Sequence, residues 1–172
     1  MMIRLLNPAD AEEYSRLRIE ALQENPEAFS SSYEELIRKP NLVAEYRRNF
    51  QENKSYTYGA FKDGVLIGMV TLIPEGKEKL KHKATIFAMY VTPGHRGNGI
   101  GKALLEAAIS QAREIEGIKK INLGVVSINR RAKELYVKFG FNTYGVEEKA
   151  LKIKNVYFDE EYMTLFLTEE KN

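Results

Sequence analysis

A glycine-rich segment in the middle of the chain carries the clearest chemical signal in the sequence. Gly97, Gly99 and Gly101 alternate directly after Arg96, between a predicted buried strand and a predicted amphipathic helix. Glycines let several backbone N–H groups approach one anion, and a helix N-terminus adds unpaired N–H groups and the positive end of a dipole. The segment therefore predicts a loop that binds a phosphate or pyrophosphate, rather than a plain tight turn.

The spacing of these residues excludes two common nucleotide-binding motifs. The dinucleotide fingerprint requires Gly-x-Gly-x-x-Gly, whereas the three glycines here alternate. A P-loop requires Ser or Thr after Gly-Lys, whereas Ala103 follows Gly101-Lys102. The anion is therefore expected in a different kind of site.

A second group of residues lies on a predicted helix further along the chain. Asn129 and Tyr136 are seven residues apart, so their side chains share one helix face, and the small Ala132 between them leaves room for a ligand. Taken alone, this spacing favours core packing of Tyr136 with Leu135 and Phe139 over a chemical role.

The elements that must position these residues follow from hydrophobic periodicity and turn signals. Strands are predicted at 3–6, 56–61, 65–73, 84–91, 121–126, 143–148 and 157–167, and helices at 10–23, 33–40, 41–52, 100–116 and 129–139. Asp10 is the predicted N-cap of the first helix, and Lys62-Asp63-Gly64 predicts a hairpin turn. With no crossover helix between the last two strands, that pair is predicted to be antiparallel.

The glycine segment resembles the signature of the GCN5-related N-acetyltransferase (GNAT) superfamily. That signature is Arg or Gln, two residues, Gly, one residue, and then Gly or Ala; this chain reads Arg96-Gly97-Asn98-Gly99-Ile100-Gly101. The resemblance extends to Met89-Tyr90-Val91 and Pro93 upstream and to Asn129, Ala132, Tyr136 and Phe139-Gly140-Phe141 downstream. It covers nearly the whole chain.

The resemblance implies one N-acetyltransferase domain over residues 1–172, with its core at about 3–167. The implied fold class is α/β (α+β mixed): a mixed, mostly antiparallel sheet flanked by helices and splayed between the strands near 84–91 and 121–126. Dimers are frequent in the family, so a homodimer is also an open expectation.

The implied co-substrate is acetyl-CoA, with its pyrophosphate on the glycine loop and its pantetheine arm beside the preceding strand. The implied cofactor-binding residues are Met89, Tyr90, Val91, Arg96, Gly97, Asn98, Gly99, Ile100, Gly101, Lys102, Asn129 and Ala132. Backbone N–H groups near Tyr90 or Val91 are candidates for stabilising negative charge on the carbonyl oxygen.

The implied reaction is transfer of the acetyl group to a primary amine of a small molecule, a protein or a peptide. The resemblance gives Tyr136 the role of general acid, which protonates the departing CoA thiolate. The absence of cysteine excludes a cysteine acyl-enzyme and favours direct transfer in a ternary complex. The alternative is a catalytically inactive CoA-binding sensor or regulatory module. Whether acyl groups other than acetyl are used stays open.

The resemblance also implies that the acceptor contacts the segment 25–35 and a loop at 148–157. The expected acceptor-binding residues are Phe29, Ser31, Tyr33 and Glu34. The general base is not identified by the sequence: the candidates are Glu34, Glu35, Glu75 and a water chain along the splayed strands, and each carboxylate taken singly fits a solvated surface charge better than a base.

Composition bounds the remaining possibilities. The formal net charge is only +2, but the charges are divided unevenly along the chain. Residues 77–138 contain 13 Lys/Arg and 5 Asp/Glu, whereas the rest of the chain contains 13 Lys/Arg and 19 Asp/Glu. This division predicts a polyanion bound to the basic block and favours a cationic amine on the acidic remainder. The two histidines predict no metal site, and no signal or membrane segment is apparent, so a cytoplasmic protein is expected.

Nucleic-acid binding is the weakest alternative. The basic residues that would carry it are Lys119, Lys120, Arg130, Arg131 and Lys133. They have no interleaved aromatic side chains on which bases would stack, so no nucleic-acid partner is expected.

Overall fold

The structure is a computed structural model, and it describes residues 1–167. The helices are α1 (Ala11–Glu24), α2 (Tyr33–Ile37), α3 (Leu42–Gln51), α4 (Ile100–Glu114) and α5 (Arg130–Lys138). The strands are β1 (Met2–Leu5), β2 (Tyr56–Lys62), β3 (Val65–Pro74), β4 (Lys83–Val91), β5 (Lys120–Val126), β6 (Asn142–Ile153) and β7 (Val156–Phe166). Each predicted strand and helix is present, with its ends shifted by a few residues.

The seven strands form one mixed sheet in the order β1-β2-β3-β4-β5-β7-β6. Its strand pairs are antiparallel, apart from the parallel pair of β4 and β5. That pair runs only from Lys83–Lys120 to Thr85–Asn122. Beyond Thr85 the two strands diverge, which confirms the predicted splay and leaves their backbone groups facing a gap.

Two apolar clusters cover the two faces of the sheet. On one face, Leu104 and Ala108 of α4 pack with Val70 and Ile86, and Phe141 extends this cluster beyond α5. On the other face, Tyr14, Leu17 and Ala21 of α1 pack on Leu66, Met69 and Tyr90. The helical spacing of apolar residues predicts a buried side of α4 made of Leu104, Leu105, Ala108, Ile109, Ala112 and Ile115. The first five are buried, whereas Ile115 is half-buried and lies just beyond the end of the helix.

Strand β4 contains a bulge next to the gap. Met69 of β3 pairs with Tyr90, but Thr71 pairs with Phe87, so β4 has one extra residue between these pairs. The extra residue is accommodated at Ala88, which has a φ of +52°. Bulges twist a strand and redirect its side chains, and this one divides β4 into two halves that pair with β3 in different registers.

Two local predictions about turns had different outcomes. The hairpin at Lys62-Asp63-Gly64 is confirmed, since Asp63 and Gly64 both have positive φ angles (+51° and +81°). The loop predicted at 148–157 is wrong: β6 and β7 continue to a two-residue turn at Lys154 and Asn155. The turn signal was missed because Lys154, rather than a glycine, takes the positive φ angle of +54°.

Asp10 precedes α1 as predicted, but its side chain does not cap that helix. Its carboxylate accepts the N–H of Asn7 at 2.8 Å and both terminal nitrogens of Arg4 at 2.7 Å. It therefore connects β1 to the start of α1.

Among residues 1–167, no helix combines the length and apolar character needed to cross a membrane.

Candidate functional site

A cavity of about 590 Å³ opens where β4 and β5 diverge. Its walls are the end of β4, the glycine loop, the first turn of α4, one face of α5 and the turn that follows α1. The lining residues include Asn25, Glu27, Met89, Tyr90, Val91, His95, Arg96, Gly97, Gly99, Ile100, Gly101, Lys102, Asn129, Arg131, Ala132, Leu135 and Lys138. We call this space the splay cavity.

The glycine loop has the backbone conformation that the sequence predicted for an anion-binding loop. Gly97 and Gly99 have φ angles of +86° and +77°, in the left-handed region that side chains resist. Gly99 is also the N-cap of α4, so the unpaired N–H groups of the first turn begin at this point. At Gly101, a Cβ atom would lie 3.5 Å from both Leu135 and Met89, at ordinary van der Waals distance, so β4 and α5 both pack beside the first turn of the helix.

Arg96 stabilises this loop through hydrogen bonds to two neighbouring elements. Its Nε donates to the carbonyl oxygen of Val91, and its Nη2 donates to Oδ1 of Asn25, both at 2.7 Å. Its guanidinium carbon also lies 5.4 Å from the ring centre of Tyr90. Arg96 therefore fixes the glycine loop to β4 and to the end of α1, in addition to lining the splay cavity.

Cationic side chains surround the glycine loop. Lys102, Arg131 and Lys138 line the cavity, and Nη2 of Arg131 lies 3.4 Å from the position of a Cβ atom on Gly97. Arg131 and Lys138 were not among the predicted cofactor residues. Their separation of seven residues on α5 places them on one helix face, which is a signal that the sequence offered. Together these groups favour an anion at the loop.

The other predicted cofactor residues meet at the same cavity, with one partial exception. Asn129 caps α5 by accepting the N–H of Ala132 at 3.2 Å, and both residues line the cavity. Asn98 is exposed, and its side-chain amide donates to the carbonyl oxygen of His95 at 3.3 Å. Its side chain thus supports the loop from the solvent side.

Tyr136 lies deeper than its neighbours on α5. It is only 5% exposed, belongs to the core cluster beneath α4 and α5, and packs edge-on against Phe141 at 5.9 Å. Burial raises the pKa of its phenol to about 12. Its ring therefore packs in the core, as the spacing alone favoured, although with Phe141 as its aromatic partner. The role of its hydroxyl as a general acid stays a prediction.

The predicted acceptor residues lie in the loop after α1 and in the first turn of α2. Phe29 lies 6.5 Å from the ring of Tyr90, and Ser31 lines a second cavity of about 410 Å³ on the α1 face of the sheet. Tyr33 is half-buried at the start of α2, and Glu34 is exposed beside it. Of the four, Ser31 lines one of these two cavities.

The three carboxylates considered as general bases lie away from the lining of the splay cavity. Glu34 is exposed, and Glu35 accepts the backbone N–H of Ser32 at 2.9 Å as part of a helix cap. Glu75 follows the end of β3, where its backbone N–H pairs with the carbonyl oxygen of Lys83. None of these three carboxylates lies in the splay cavity as the described chain forms it.

Glu160 was not among the residues predicted for the site. Glu160 of β7 extends its side chain across Gly124 of β5, in the part of β5 that has left β4. Burial and then the charge of Glu147 raise the pKa of Glu160, although a hydrogen bond from Tyr162 opposes this. A carboxylate with a raised pKa is a better proton acceptor than an ordinary glutamate.

Within residues 1–167, no group of His, Asp and Glu is arranged to hold a metal ion.

Comparison with known proteins agrees with this geometry. Residues 16–141 match the family model of the Acetyltransferase (GNAT) family. The spermidine N(1)-acetyltransferase of Vibrio cholerae serotype O1 is 26% identical over 84% of this chain and 80% of its own length.

Two solved structures have the same fold. The ribosomal-protein-alanine N-acetyltransferase of Brucella melitensis superposes with a TM-score of 0.82 at 22% identity, covering 97% of this chain and 100% of that one. The yncA protein of Salmonella typhimurium, solved with its cofactor acetyl-CoA, gives a TM-score of 0.83 at 22% identity, covering 100% and 96%.

Proposed function

The chain belongs to the GNAT family of acetyltransferases and is an acetyl-CoA-dependent acyltransferase, and on that premise we propose that it is an N-acetyltransferase. The acetyl group passes directly to a primary amine of a small molecule, a protein or a peptide. The observation that carries this proposal is the splay cavity, where a cationic, glycine-rich helix N-terminus faces the unpaired end of β4.

The residues at the splay cavity fit acetyl-CoA, which supplies an acetyl thioester when bound. The left-handed glycines and the first turn of α4 present N–H groups to a pyrophosphate, and Lys102, Arg131 and Lys138 add positive charge. The backbone of β4 beyond Thr85 has no partner strand on its β5 side, so it can pair with an extended amide chain. Phosphate and pantetheine groups thus find complementary partners.

Two of the chain's own groups have proposed chemical roles. Backbone N–H groups of β4 near Tyr90 or Val91 stabilise the negative charge that develops on the carbonyl oxygen of the acetyl thioester. The Tyr136 hydroxyl acts as the general acid for the leaving thiolate. A phenol is protonated at neutral pH, which is the form that a general acid needs, and burial, which raises the pKa of Tyr136 to about 12, makes it a weaker acid than an exposed tyrosine.

Direct transfer is the simplest route for this chain. The sequence contains no cysteine, so no thiol can carry the acetyl group between donor and acceptor. The acceptor amine therefore has to reach the thioester within a ternary complex. The α1 face of the sheet, where the second cavity lies, offers the approach.

The proposal is tested by measuring release of free CoA thiol from acetyl-CoA with a panel of amines. The panel contains spermidine, lysine, cadaverine and a peptide with a free N-terminus. Saturable, amine-dependent thiol release with formation of the N-acetyl product is expected. Tight binding of acetyl-CoA without turnover of any amine would contradict the proposal and would identify a CoA-binding sensor.

A further inference from the structure

A second cavity, of about 410 Å³, lies on the face of the sheet that carries α1. It is bounded by α1, α2, α3 and the middle of β3 and β4. Its lining is Tyr14, Arg18, Ser31, Glu35, Leu36, Lys39, Tyr46, Thr71, Ile73, Phe87 and Ala88. We call it the Arg18 cavity.

The Arg18 cavity ends at the bulge of β4. Ala88 lines it, and the next residue, Met89, lines the splay cavity. Phe87 and Ala88 line the Arg18 cavity and Met89, Tyr90 and Val91 line the splay cavity, so the lining of one ends where the lining of the other begins, at the register shift of β4. An acceptor held in the Arg18 cavity would therefore contact Ala88, which is next in the chain to the lining of the proposed acetyl-donor site.

Arg18 has an unsatisfied hydrogen-bond donor. Within the described chain, its Nη1 is a buried side-chain nitrogen that has no hydrogen-bond partner. The guanidinium is held over the ring of Phe29, with its central carbon 5.1 Å from the ring centre. Buried donors in native proteins are normally paired, so this one points to an acceptor that a ligand provides.

The other charged groups in the cavity are already engaged elsewhere. Lys39 pairs with Glu45 at 3.3 Å, and Glu35 accepts the N–H of Ser32. Counting Arg18, Lys39 and Glu35 together, the lining carries one net positive charge. This charge matches a carboxylate, which carries a single negative charge, better than a dianionic phosphate.

Two phenols complete the polar lining. The rings of Tyr14 and Tyr46 meet edge to face at 4.8 Å, and burial raises the pKa of each above its ordinary value. The charge of Arg18 opposes this at both phenols, and a hydrogen bond from the Arg18 guanidinium opposes it further at Tyr46, which leaves Nη1 as the donor without a partner. Both hydroxyls are therefore protonated at neutral pH and can donate hydrogen bonds. A planar guanidinium beside hydroxyl donors suits a carboxylate, which accepts bonds at both oxygens.

We propose that Arg18 binds a carboxylate of the acceptor, so that the acceptor is an amine of the amino-acid class. The carboxylate lies at the guanidinium, and the amine points toward Ala88 and the splay cavity. This inference rests on the proposed N-acetyltransferase function and narrows its substrate. The charge balance of the sequence outside residues 77–138 favours an acceptor without a negative group, whereas the lining of the Arg18 cavity is positive and favours an acceptor that carries a carboxylate.

Lysine and cadaverine provide a matched pair of substrates, since they differ by the carboxylate. We expect kcat/KM for acetylation to be at least about tenfold higher with lysine, through a lower KM, because a buried guanidinium–carboxylate pair is a strong interaction. Calorimetric binding of lysine to the enzyme loaded with CoA provides a readout that does not depend on turnover. Equal kcat/KM values for the two amines would overturn the inference.

Variants at Arg18 test the assignment to this residue. Arg18→Gln should raise the KM for lysine at least about tenfold while leaving the KM for cadaverine unchanged, and Arg18→Lys should recover part of the loss. Arg47→Gln on the exposed face of α3 is the control, with no change expected. If Arg18→Gln does not fold, the comparison of the two substrates on the wild-type enzyme still decides.

The outcomes separate the two proposals. Acetylation of cadaverine and spermidine as efficiently as lysine, with Arg18→Gln having no effect, would overturn the carboxylate inference and leave the N-acetyltransferase function standing. Failure to acetylate any amine would instead overturn the function.

Discussion

Gly99 has a backbone conformation in which any side chain is strained, although there is space for one. Its φ angle is +77°, and a Cβ atom would meet nothing within 4 Å. A methyl group at this position therefore adds conformational strain without a steric clash, at a cost of about 1–2 kcal/mol. The strain falls on the loop that presents N–H groups to the proposed pyrophosphate.

We therefore expect Gly99→Ala to weaken acetyl-CoA binding by about tenfold, since 1.4 kcal/mol corresponds to that factor. Gly94→Ala is a matched control, because Gly94 also has open space around it but has no positive φ angle. Isothermal titration of both variants with acetyl-CoA measures the difference. Equal affinities would mean that the loop conformation does not contribute to binding.

A single substitution at Tyr136 distinguishes packing of its ring in the core from a role of its hydroxyl as general acid. Tyr136→Phe keeps the ring that packs on Phe141 and removes the hydroxyl. If the phenol is the general acid, kcat should fall by about 100-fold, while the dissociation constant for acetyl-CoA and the unfolding temperature should change little. Tyr144→Phe, at an exposed phenol on β6, is the control. An unchanged kcat in Tyr136→Phe would leave Tyr136 as a core residue only.

At this scale, local patterns were predictable and long-range contacts were not. The alternating glycines predicted the loop because the backbone angles of a turn depend on adjacent residues. The bond from Arg96 to Asn25 joins residues far apart in the chain, so no spacing rule indicates it. Arg18 was not identified for the same reason, since its cavity is formed with four elements other than its own helix, namely α2, α3, β3 and β4.

At the scale of elements, the junction of β1 and α1 is stabilised by one carboxylate. Asp10 accepts two hydrogen bonds from Arg4 and one from Asn7, and these hold the pKa of its carboxyl below the ordinary value, with the Arg4 bonds as the largest cause. The unfolded chain therefore binds a proton to Asp10 more readily than the folded chain does. The stabilisation is complete above the ordinary pKa of aspartate, near 4, and is lost as the pH falls through the lower folded pKa.

Replacing Asp10 should therefore have a pH-dependent cost. Because the Arg4 side chain is 33% exposed, solvent weakens the pair, and we expect Asp10→Asn to reduce the free energy of unfolding by about 1–2 kcal/mol at pH 7. The difference from wild type should shrink below about pH 4. Urea unfolding at pH 7 and pH 3 measures it, and Glu12→Gln on the exposed side of α1 serves as the control. A difference that is independent of pH would show that the ion pair does not stabilise the fold.

The elements also differ in how far sequence could define them. The helix α4 was predicted because its apolar residues repeat with helical spacing. The splay of β4 and β5 was expected only from the family resemblance, because no hydrophobic pattern shows that two adjacent strands separate. The bulge at Ala88 was missed, since an alanine in a strand does not indicate a positive φ angle.

At the scale of the whole molecule, the near-neutral total charge conceals a basic half. Residues 77–138 carry 13 basic and 5 acidic side chains, and they form β4, the glycine loop, α4, β5 and α5. The splay cavity is built largely from this block. A polyanion that approaches it meets a positive potential, whereas a neutral molecule of the same shape does not.

Binding of CoA should therefore weaken with salt, whereas binding of pantetheine, which lacks the phosphates, should not. The Debye length falls from about 10 Å at 0.1 M to about 3 Å at 1 M ionic strength, so most of the attraction beyond direct contact is screened over that range. We expect the dissociation constant for CoA to rise by about tenfold across it. The double variant Arg131→Gln/Lys138→Gln removes two cations from the cavity, so its dissociation constant for CoA should change less with salt concentration than that of the wild type. Arg113→Gln, at the far end of α4, should not show this reduction. A salt dependence shared by CoA and pantetheine would mean that the charge division does not govern cofactor binding.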